Sequence, residues 1–364
     1  MRYYQNIAFL FIAFTLSLFL YSCQSKETVI ERGYYFWQNK SYLGSAEKKF
    51  LQQHSIHKLY AKILDVDWND VYGPVPASKN DLNEINGSLN IYDSLHINIV
   101  PVVFITNKTF QKIDSGQLHL LALRILKECM LDAIDIDAKN NGTLYSVKKP
   151  ASSEIQFDCD WTESTSGKYF QFLKEVKRLL PDSVIVSATI RLHQYKYPSQ
   201  TGVPPVNRGM LMLYNIDDPK KYESTNSIFD YDKAKAYFTS GKEYKLPLDV
   251  VLPAFSWSLV FRNGKFYQIE NNLSENDLMQ LNFLQKQTNG FYRVNTDTVF
   301  NDLFLRIGDE IKPEAISTEN LDKAAELAHK AINSKKYSVA FFDLSEDEVK
   351  EYDSNEIDKI YNSF

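Results

Sequence analysis

Eight short apolar runs, most of them separated by longer amphipathic stretches, limit the possible folds of this chain of 364 residues more than any other feature. Near-continuous hydrophobicity over a few residues is typical of parallel strands that are covered on both faces. The runs are Gly33–Trp37, Leu59–Val66, Ile99–Thr106, Glu154–Asp160, Val184–Ile190, Gly209–Asn215, Asp249–Phe255 and Tyr337–Asp343. Eight parallel strands are the number that closes a (β/α)₈ barrel.

Amphipathic stretches between these runs predict helices. They cover Ser45–Gln53, Lys79–Leu95, Ser115–Leu131, Gly167–Leu180 and Glu319–Ile332. Pro181 ends the fourth helix, since proline cannot continue one. Regular alternation of strand and helix predicts an α/β fold, and a (β/α)₈ TIM-like barrel fits best. A doubly wound open sheet is the competing fold, but no Gly-rich turn follows the first run, as a nucleotide-binding sheet of that kind would require.

The connection between the seventh and eighth runs is much longer than a β/α unit needs. Within it, Asn263-Gly264 lies between apolar flanks, which is a strong signal for a two-residue hairpin turn. We therefore predict a small α+β insertion over about residues 258–313. The barrel domain as a whole is predicted to cover residues 33–364.

The N-terminus has the pattern of an export signal. Arg2 precedes an apolar run from Ile7 to Leu20, and the chain continues Tyr21-Ser22-Cys23. A short apolar region behind a basic start is typical of a signal peptide, which we assign to residues 1–22. The alternative is a plain transmembrane anchor, but the run is shorter than the roughly 20 apolar residues that a bilayer requires.

The ending Leu-x-Ser-Cys resembles the lipobox of bacterial lipoproteins. This resemblance implies cleavage before Cys23 and attachment of lipid, palmitate included, at that cysteine. Residues 23–32 would then be a polar tether. The expected location is the bacterial cell envelope, with the protein anchored in a membrane on its periplasmic or cell-surface face.

Charge and metal-binding side chains exclude several classes of function. The net charge of −5 includes no clustered excess of Lys and Arg, so no nucleic-acid partner is expected. Cys129 and Cys159 are predicted to be small core residues, since two cysteines do not make a disulfide framework. The six His residues are scattered, and residues 132–142 lack the Gly and Glu of a calcium loop, which predicts a solvated loop or short edge strand there. We predict no metal site and no cofactor.

Polar and aromatic side chains follow most of the predicted strands. In barrel enzymes the active site forms at the carboxyl ends of the strands. The residues at these ends are Asp65, Asp67, Trp68, Asn107, Asp158, Asp160, Trp161, Arg191, His193, Tyr214, Asn215, Ser256, Trp257 and Asp343. Carboxylates, aromatic rings, an amide and an arginine on one face would suit a sugar, although any polar barrel mouth has a similar composition.

Asp158 and Asp160 are two residues apart, so a strand would point both in the same direction. Two close carboxylates split their pKa values, which is useful for acid–base chemistry. The alternative is a buried structural pair held by hydrogen bonds to Arg191 or Lys62. Arg191 could instead hold a carboxylate of the ligand through two hydrogen bonds.

A glycosidase would also need a second carboxyl within roughly 5–10 Å. Asp67, Glu163 and Asp343 are the candidates, although Glu163 would face away from the pocket unless the strand has already turned into a loop. Trp257 and Trp37 could be stacking platforms for a sugar, or they could cap the barrel core. Asp65 and Asp67, with Trp68, form a second cluster at a strand end. The alternative is that the acids are solvated in a loop and that the tryptophan is packed.

The stretch FDCDWT resembles the fourth strand of family 18 glycoside hydrolases, the chitinases and endo-N-acetylglucosaminidases. Their strand ends in D-x-x-D-x-D-x-E, often with Trp before the Glu, and Asp158, Asp160 and Trp161 match this pattern. Met212–Asn215 resembles the Met-x-Tyr-Asp of strand six, and Leu252-Pro253 resembles the Leu-Pro of strand seven. The family also places an insertion after strand seven.

Other positions depart from this family. Thr162 stands where the family has its general acid, and threonine has no accessible pKa near neutrality with which to donate a proton. Ile155 replaces the first Asp of the motif, and Asn215 replaces the acid of strand six. The Gly-rich motif of strand three is missing, and Phe341 and Phe342 stand where a tryptophan is expected.

In the resembling enzymes, the residues that match Asp160 and Tyr214 orient the acetamido group of the substrate. The resemblance therefore implies recognition of a glycan that contains N-acetylglucosamine, by a degenerate, glycosidase-like binder. One alternative is an active hydrolase with its acid relocated, so that enzymatic activity stays open. Another is a structural or assembly lipoprotein of the envelope whose barrel mouth binds a partner protein.

Overall fold

A computed structural model describes residues 28–90, 96–129, 152–239, 243–271, 273–351 and 354–364, and the backbone of Ile134–Ile136 and Tyr145–Val147. Eight parallel strands form its centre. They are β1 (Val29–Phe36), β2 (Lys58–Asn69), β3 (Asn98–Ile105), β4 (Glu154–Asp158), β5 (Ile185–Arg191), β6 (Arg208–Met212), β7 (Leu248–Pro253) and β8 (Lys336–Phe342). The predicted signal peptide lies outside the described residues, as do residues 23–27 of the predicted tether, Cys23 included, and most of the stretch 132–142.

The strands close into a ring. Each pairs with its neighbours in chain order, and β1 pairs both with β8, through Val29 and Lys336, and with β2, through Gly33 and Lys58. The predicted (β/α)₈ barrel is therefore confirmed, and the doubly wound sheet is wrong. Strand β1 begins four residues before its predicted start at Gly33, because pairing with β8 extends along its more polar first half.

Helices surround the ring. They are α1 (Ser45–Gln53), α2 (Leu82–Asn90), α3 (Leu118–Cys129), α4 (Glu163–Leu179), α5 (Leu192–Lys196), α6 (Tyr231–Lys235), α7 (Thr318–Ala331) and α8 (Ser354–Ser363). Shorter helical segments are Asn107–Lys112, Ser115–Gln117, Pro198–Thr201, Ala236–Phe238, Glu275–Met279 and Glu348–Glu351. Within the described chain, no helix is both long and apolar enough to cross a bilayer.

Helix α4 begins four residues before the predicted start at Gly167. Thr162 caps it, since its backbone N–H donates to Thr165 Oγ1 at 2.9 Å. Buried Tyr169, Phe172 and Leu173 face the barrel from the core side of this helix. Cys129 and Cys159 are both buried and free of disulfide bonds.

Strand β2 continues beyond the ring into a hairpin with the strand Gly73–Ser78, which the sequence analysis did not predict. Pro74 and Pro76 lie in this second strand, opposite Trp68 and Val66. Proline cannot donate a ladder hydrogen bond, so it is tolerated on an edge strand of this kind. The hairpin rises at the rim of the barrel mouth.

A separate antiparallel sheet is inserted between β7 and α7. Its strands, in spatial order, are Lys265–Asn271, Ser256–Arg262, Glu310–Ala315, Tyr292–Val294 and Leu284–Lys286, and a short ribbon joins Thr298–Phe300 to Leu303–Leu305. Asn263 and Gly264 form the predicted hairpin turn with φ angles of 53° and 70°. The sheet extends two residues beyond each predicted bound of the insertion, and Val260, Tyr292 and Ile311 help to form its own apolar core.

Ion pairs close the amino-terminal end of the barrel. Lys58 Nζ lies 2.7 Å from Glu154 Oε2, and the Arg208 guanidinium donates two hydrogen bonds to Asp249, at 2.8 and 2.7 Å. All four charged groups are buried or partly buried. The opposite, carboxyl-terminal end is open, and it is there that a cavity forms.

Candidate functional site

A cavity of about 630 Å³ opens at the carboxyl ends of the barrel strands. Its wall combines carboxyl groups, two cationic side chains, amides and aromatic rings. The lining residues are Tyr35, Trp37, Gln38, Asn39, Lys62, Asp65, Phe104, Asp158, Asp160, Arg191, Met212, Tyr214, Asn215, Phe255, Ser256, Trp257, Asn271, Phe342 and Asp343. A ligand of several rings would fit a space of this size.

Ten of the residues that the sequence analysis named as strand-end or stacking candidates are brought together in this wall. They are Trp37, Asp65, Asp158, Asp160, Arg191, Tyr214, Asn215, Ser256, Trp257 and Asp343. They come from β2, β4 and β5, from the turns that follow β1, β4, β6 and β8, and from the strand Ser256–Arg262 of the inserted sheet. Only closure of the ring places them side by side.

Asp67 and Trp68 lie elsewhere. Both belong to the hairpin that extends β2, and neither lines the cavity. Asp67 Oδ1 accepts hydrogen bonds from Thr106 Oγ1 at 2.7 Å and from the Trp68 backbone N–H at 2.8 Å. These hydrogen bonds, with that from Thr106 the larger influence, lower the pKa of Asp67. Both residues therefore have structural partners nearby: Thr106, just after β3, for Asp67, and Asp70 for the indole N–H of Trp68.

Glu163 also lies outside the cavity wall. The strand ends at Asp158, and Glu163 is the first residue of α4, with its side chain exposed. The chain has turned by this point, but it turns into a helix whose first residue points to solvent. A carboxylate in the first turn of a helix interacts favourably with the helix dipole, which accounts for an acid here.

Thr162 is the cap of this helix and is exposed. In the family 18 motif that the sequence resembles, this position is that of the general acid. Its Oγ1 lies 3.0 Å from Ser164 Oγ and 3.3 Å from Thr165 Oγ1. The hydroxyl thus belongs to a small network of neutral hydroxyls at the start of α4. Thr162 therefore provides no acidic group that could donate a proton.

Asp158, the last residue of β4, is buried at the base of the cavity. Its Oδ1 accepts a hydrogen bond from Thr189 Oγ1 at 2.6 Å. Burial raises the pKa of this carboxyl to about 6, although the positive charge of Arg191 acts in the opposite direction. Asp158 can therefore exchange a proton near neutral pH.

Asp160 and Arg191 form a two-pronged ion pair in the cavity wall. Arg191 Nε donates to Asp160 Oδ1 at 2.5 Å, and a terminal guanidinium nitrogen donates to Oδ2 at 3.1 Å. Burial acts to lower the pKa of Arg191, but the charge of Asp160 and its hydrogen bonds raise it overall. This is the internal salt bridge that the sequence analysis gave as an alternative. The Arg191 guanidinium is thus paired with a carboxylate of the protein and not with one of a ligand.

Asp343 follows the end of β8 and is also buried. Gln38 Nε2 donates to its Oδ2 at 2.7 Å. Burial raises the pKa of Asp343 to about 6, against the lowering influence of the Gln38 hydrogen bond and the charge of Lys62. Since β8 lies four strands from β4 around a ring of eight, Asp343 and Asp158 enter the cavity from opposite sides.

Lys62 is the second cation of the wall. Its ammonium lies 5.1 Å from the centre of the Trp37 ring and 3.8 Å from Asp65 Oδ1. Burial lowers the pKa of Lys62. Asp65 is shared with Lys79, whose Nζ lies 3.4 Å from Oδ2.

Aromatic rings form much of the remaining surface. Tyr214 and Phe342 stack with ring centres 4.9 Å apart, and Phe255 meets Phe342 edge-on at 5.5 Å. Tyr214 Oη is buried and has no hydrogen-bond partner among the described residues. Buried hydroxyls normally have a partner, so this group is positioned to bind a ligand atom.

Trp257 is held in the wall by the inserted sheet. Its Nε1 donates to Glu314 Oε2 at 3.0 Å, and the Ser227 backbone N–H donates to the same oxygen at 2.9 Å. Glu314 Oε1 lies 2.5 Å from Lys312 Nζ, which also donates to the carbonyl of Ser224. One buried carboxylate therefore links the tryptophan to the loop after β6.

A second cavity, of about 420 Å³, adjoins the first. Both have Asp160, Arg191, Tyr214 and Asn215 in their walls, and His193 borders only the second. The ion pair of Asp160 and Arg191 therefore borders both cavities.

Several wall residues were missed by sequence reasoning. Gln38 was missed because its partner Asp343 is distant in sequence. Lys62 was considered only as a partner of Asp158 and Asp160, whereas its nearest carboxylate is that of Asp65. The sequence analysis treated Phe104 only as part of a strand and Phe342 only as a departure from the family motif. Their positions near strand ends would have been the signal for including them.

Among the residues that the structure describes, no group of three or more His, Cys, Asp or Glu side chains could hold a metal ion. The groups that are present can stack on rings, accept hydrogen bonds from hydroxyls and exchange protons near pH 6 through Asp158 and Asp343.

No protein-family model matches the sequence, and no curated protein matches it. Solved structures resemble its fold. A chitinase from Chromobacterium violaceum has a TM-score of 0.53 at 10% identity, with 92% of this chain and 100% of that chain covered. The GH18 chitinase from the chitin utilization locus of Flavobacterium johnsoniae has a TM-score of 0.52 at 12% identity, covering 92% and 95%.

A third similar structure is a mutant of the Ostrinia furnacalis Group II chitinase catalytic domain 2 in complex with (NAG)5. Its TM-score is 0.51 at 10% identity, with 92% of this chain and 95% of that chain covered. At identities this low, the likeness establishes a shared barrel fold.

Proposed function

We propose that the chain is an exported, lipid-anchored barrel protein that recognises a glycan containing N-acetylglucosamine. The observation that carries this proposal is the open cavity, whose wall combines aromatic rings with hydrogen-bonding groups. Aromatic rings offer flat apolar faces, and carboxylates and amides accept or donate hydrogen bonds to hydroxyls. A fold shared with chitinases, one of them solved with (NAG)5, supports this class of ligand.

Binding without efficient hydrolysis fits the residues of the wall. Thr162 is a neutral helix cap, and Asp160 is engaged by Arg191. A glycosidase needs an acid positioned at the glycosidic oxygen, and the motif position offers none. The proposed protein is therefore a degenerate, glycosidase-like binder.

Replacing Trp257 by alanine is expected to weaken binding of N-acetylglucosamine oligomers by about tenfold, because the largest aromatic face on the insertion side of the cavity is lost. The measurement is isothermal titration calorimetry with the full-length chain in detergent, after a glycan array has selected the oligomer. Chito-oligosaccharide products are analysed in parallel, and no turnover is expected.

The control is Tyr267→Ala, which removes an exposed ring of the inserted sheet outside the cavity wall and should leave the affinity unchanged. Equal affinities for the wild type and the Trp257 variant would contradict the assignment of this wall. Absence of any glycan binding, with recovery of a stoichiometric envelope protein in pull-downs, would favour the structural lipoprotein instead.

An active hydrolase with relocated acids is the second candidate, favoured by the raised pKa values of Asp158 and Asp343. In such an enzyme, one protonated carboxyl would give its proton to the glycosidic oxygen as the carbon–oxygen bond breaks. Water would attack the sugar carbon and lose a proton to the other carboxylate. Turnover abolished by Asp160→Asn, as well as by Asp158→Asn or Asp343→Asn, would identify this enzyme; a full rate in the Asp160 variant would place the chemistry elsewhere.

The anchor is proposed from the sequence at Cys23 alone. We expect the wild-type chain to incorporate a palmitate analogue and to fractionate with membranes when it is expressed in a bacterium. Cys23→Ala should abolish labelling, because the acylated sulfur is gone. Labelling that persists in this variant would contradict the lipidation site, and membrane association without any labelling would favour the plain transmembrane anchor.

A further inference from the structure

The cavity wall contains more negative than positive groups. Four carboxyl groups line it, those of Asp65, Asp158, Asp160 and Asp343, against the two cations of Lys62 and Arg191. Charges that are removed from water require compensation. How each carboxyl is compensated decides what charge a ligand should carry.

Two of the carboxyl groups are balanced within the protein. Arg191 engages both oxygens of Asp160. Asp65 lies 3.4 Å from Lys79 and 3.8 Å from Lys62. Both cations of the wall are therefore already associated with a carboxylate.

The other two carboxyl groups, those of Asp158 and Asp343, accept hydrogen bonds from neutral side chains. Asp158 accepts from the Thr189 hydroxyl and Asp343 from the Gln38 amide, and neither has a salt bridge within the part of the chain that the structure describes. Both residues are more than nine-tenths buried: Asp158 is 5% exposed and Asp343 is 8% exposed. Ionised carboxyls in such positions gain most from a cation that arrives with the ligand.

The surrounding groups favour a cation as well. The unpartnered Tyr214 Oη is buried in the same wall, where it can accept a hydrogen bond from an ammonium group. Tyr214 and Phe342 present stacked rings near Asp343, and the faces of aromatic rings attract cations. Carboxylates combined with ring faces are the usual surroundings of a bound ammonium group.

We propose that the cavity selects glycans in which glucosamine units carry free, protonated amines, and that Asp158 and Asp343, on opposite sides of the cavity, each provide a carboxylate for an ammonium group. The inference rests on the proposed glycan-binding function and narrows it to partly de-N-acetylated chains. Arg191, near Asp158, and Lys62, near Asp343, are the cations that would oppose an ammonium group. Asp160 compensates the charge of Arg191, and Asp65 compensates that of Lys62. An anionic sugar is the competing ligand that Lys62 would favour.

The test compares three trimers on the full-length chain in detergent at about pH 6.5, where an amine remains largely protonated. The probes are the glucosamine trimer, the N-acetylglucosamine trimer and a galacturonate trimer, each measured by calorimetry. We expect the glucosamine trimer to bind at least about tenfold more tightly than the N-acetylated trimer. Asp158→Asn and Asp343→Asn should each reduce this ratio about tenfold, since each removes one buried charge without changing the shape of the side chain.

The matched control is Asp182→Asn, an exposed carboxylate in the turn before β5 at the opposite end of the barrel, which should leave the ratio unchanged. Because the readout is a ratio of two ligands on one protein, partial loss of folded protein does not change it. An N-acetylated trimer that binds as tightly as the free amine, or a galacturonate trimer that binds most tightly, overturns the inference while glycan binding stands. Failure of all three trimers to bind refutes the proposed function itself.

Discussion

Replacing Glu314 by alanine is expected to lower the free energy of unfolding by about 3–5 kcal/mol, because it leaves a buried lysine without its counter-ion. Glu314 accepts hydrogen bonds from Trp257, from the backbone and hydroxyl of Ser227 and from Lys312. Without it, Lys312 retains its hydrogen bond to the carbonyl of Ser224, and two buried N–H groups lose an acceptor. Urea unfolding followed by tryptophan fluorescence measures the loss.

Two comparisons separate charge from packing in this prediction. Glu314→Gln keeps an oxygen acceptor for Trp257 and Ser227 and should cost less than the alanine variant. Glu326→Ala breaks an exposed pair with Lys330 on α7 and should have little effect. If Glu314→Ala is as mild as the α7 variant, the buried network does not stabilise the inserted sheet.

Asp158→Asn and Asp343→Asn are each expected to gain stability relative to the wild type as the pH rises from about 4 to about 7.5. Burial raises the pKa of each native carboxyl to about 6, whereas the unfolded chain releases the same proton near pH 4. The native state therefore holds these protons more tightly, which stabilises it at low pH, and this contribution is lost as the pH passes 6. A shift of about two pKa units corresponds to about 3 kcal/mol per group.

The measurement is the difference in unfolding free energy between each variant and the wild type at a series of pH values. Taking a difference cancels groups of opposite sign, such as Asp217, whose pKa is lowered chiefly by its hydrogen bond from Lys233. The groups around Asp158 are Arg191, Asp160 and Asp65, and those around Asp343 are Gln38 and Lys62. For Asp182→Asn, at an exposed position, the difference in unfolding free energy should not change with pH. A difference that is also independent of pH for the cavity variants would show that the pKa values of Asp158 and Asp343 are not raised in the folded protein.

The barrel could be predicted because its strands are buried on both faces. Runs such as Ile99–Thr106 are apolar at nearly every position, because a strand that is covered on both faces buries the side chains of both faces. The hairpin strand Gly73–Ser78 has no such signature, since it is an edge strand with two prolines and largely exposed side chains. Its absence from the prediction is the reason that Asp67 and Trp68 were expected at the cavity.

The cavity was predictable where it depends on position along a strand. Residues at the ends of β4 to β8, such as Asp158, Tyr214 and Asp343, followed from the rule that these ends converge. Their partners did not follow. Whether Arg191 binds Asp160 or a ligand, and whether Gln38 reaches Asp343, depends on side-chain directions in three dimensions that spacing along the chain does not encode.

The sheet inserted between β7 and α7 supplies Trp257 to the cavity but packs around an apolar centre of its own. The floor and the opposite wall come from strands of the ring. Exchanging Ser256–Ala315 for another module would therefore give the same barrel a new recognition surface on one side. Selectivity for different ligands could diverge among such proteins through this module, with no change in the residues that keep the ring closed.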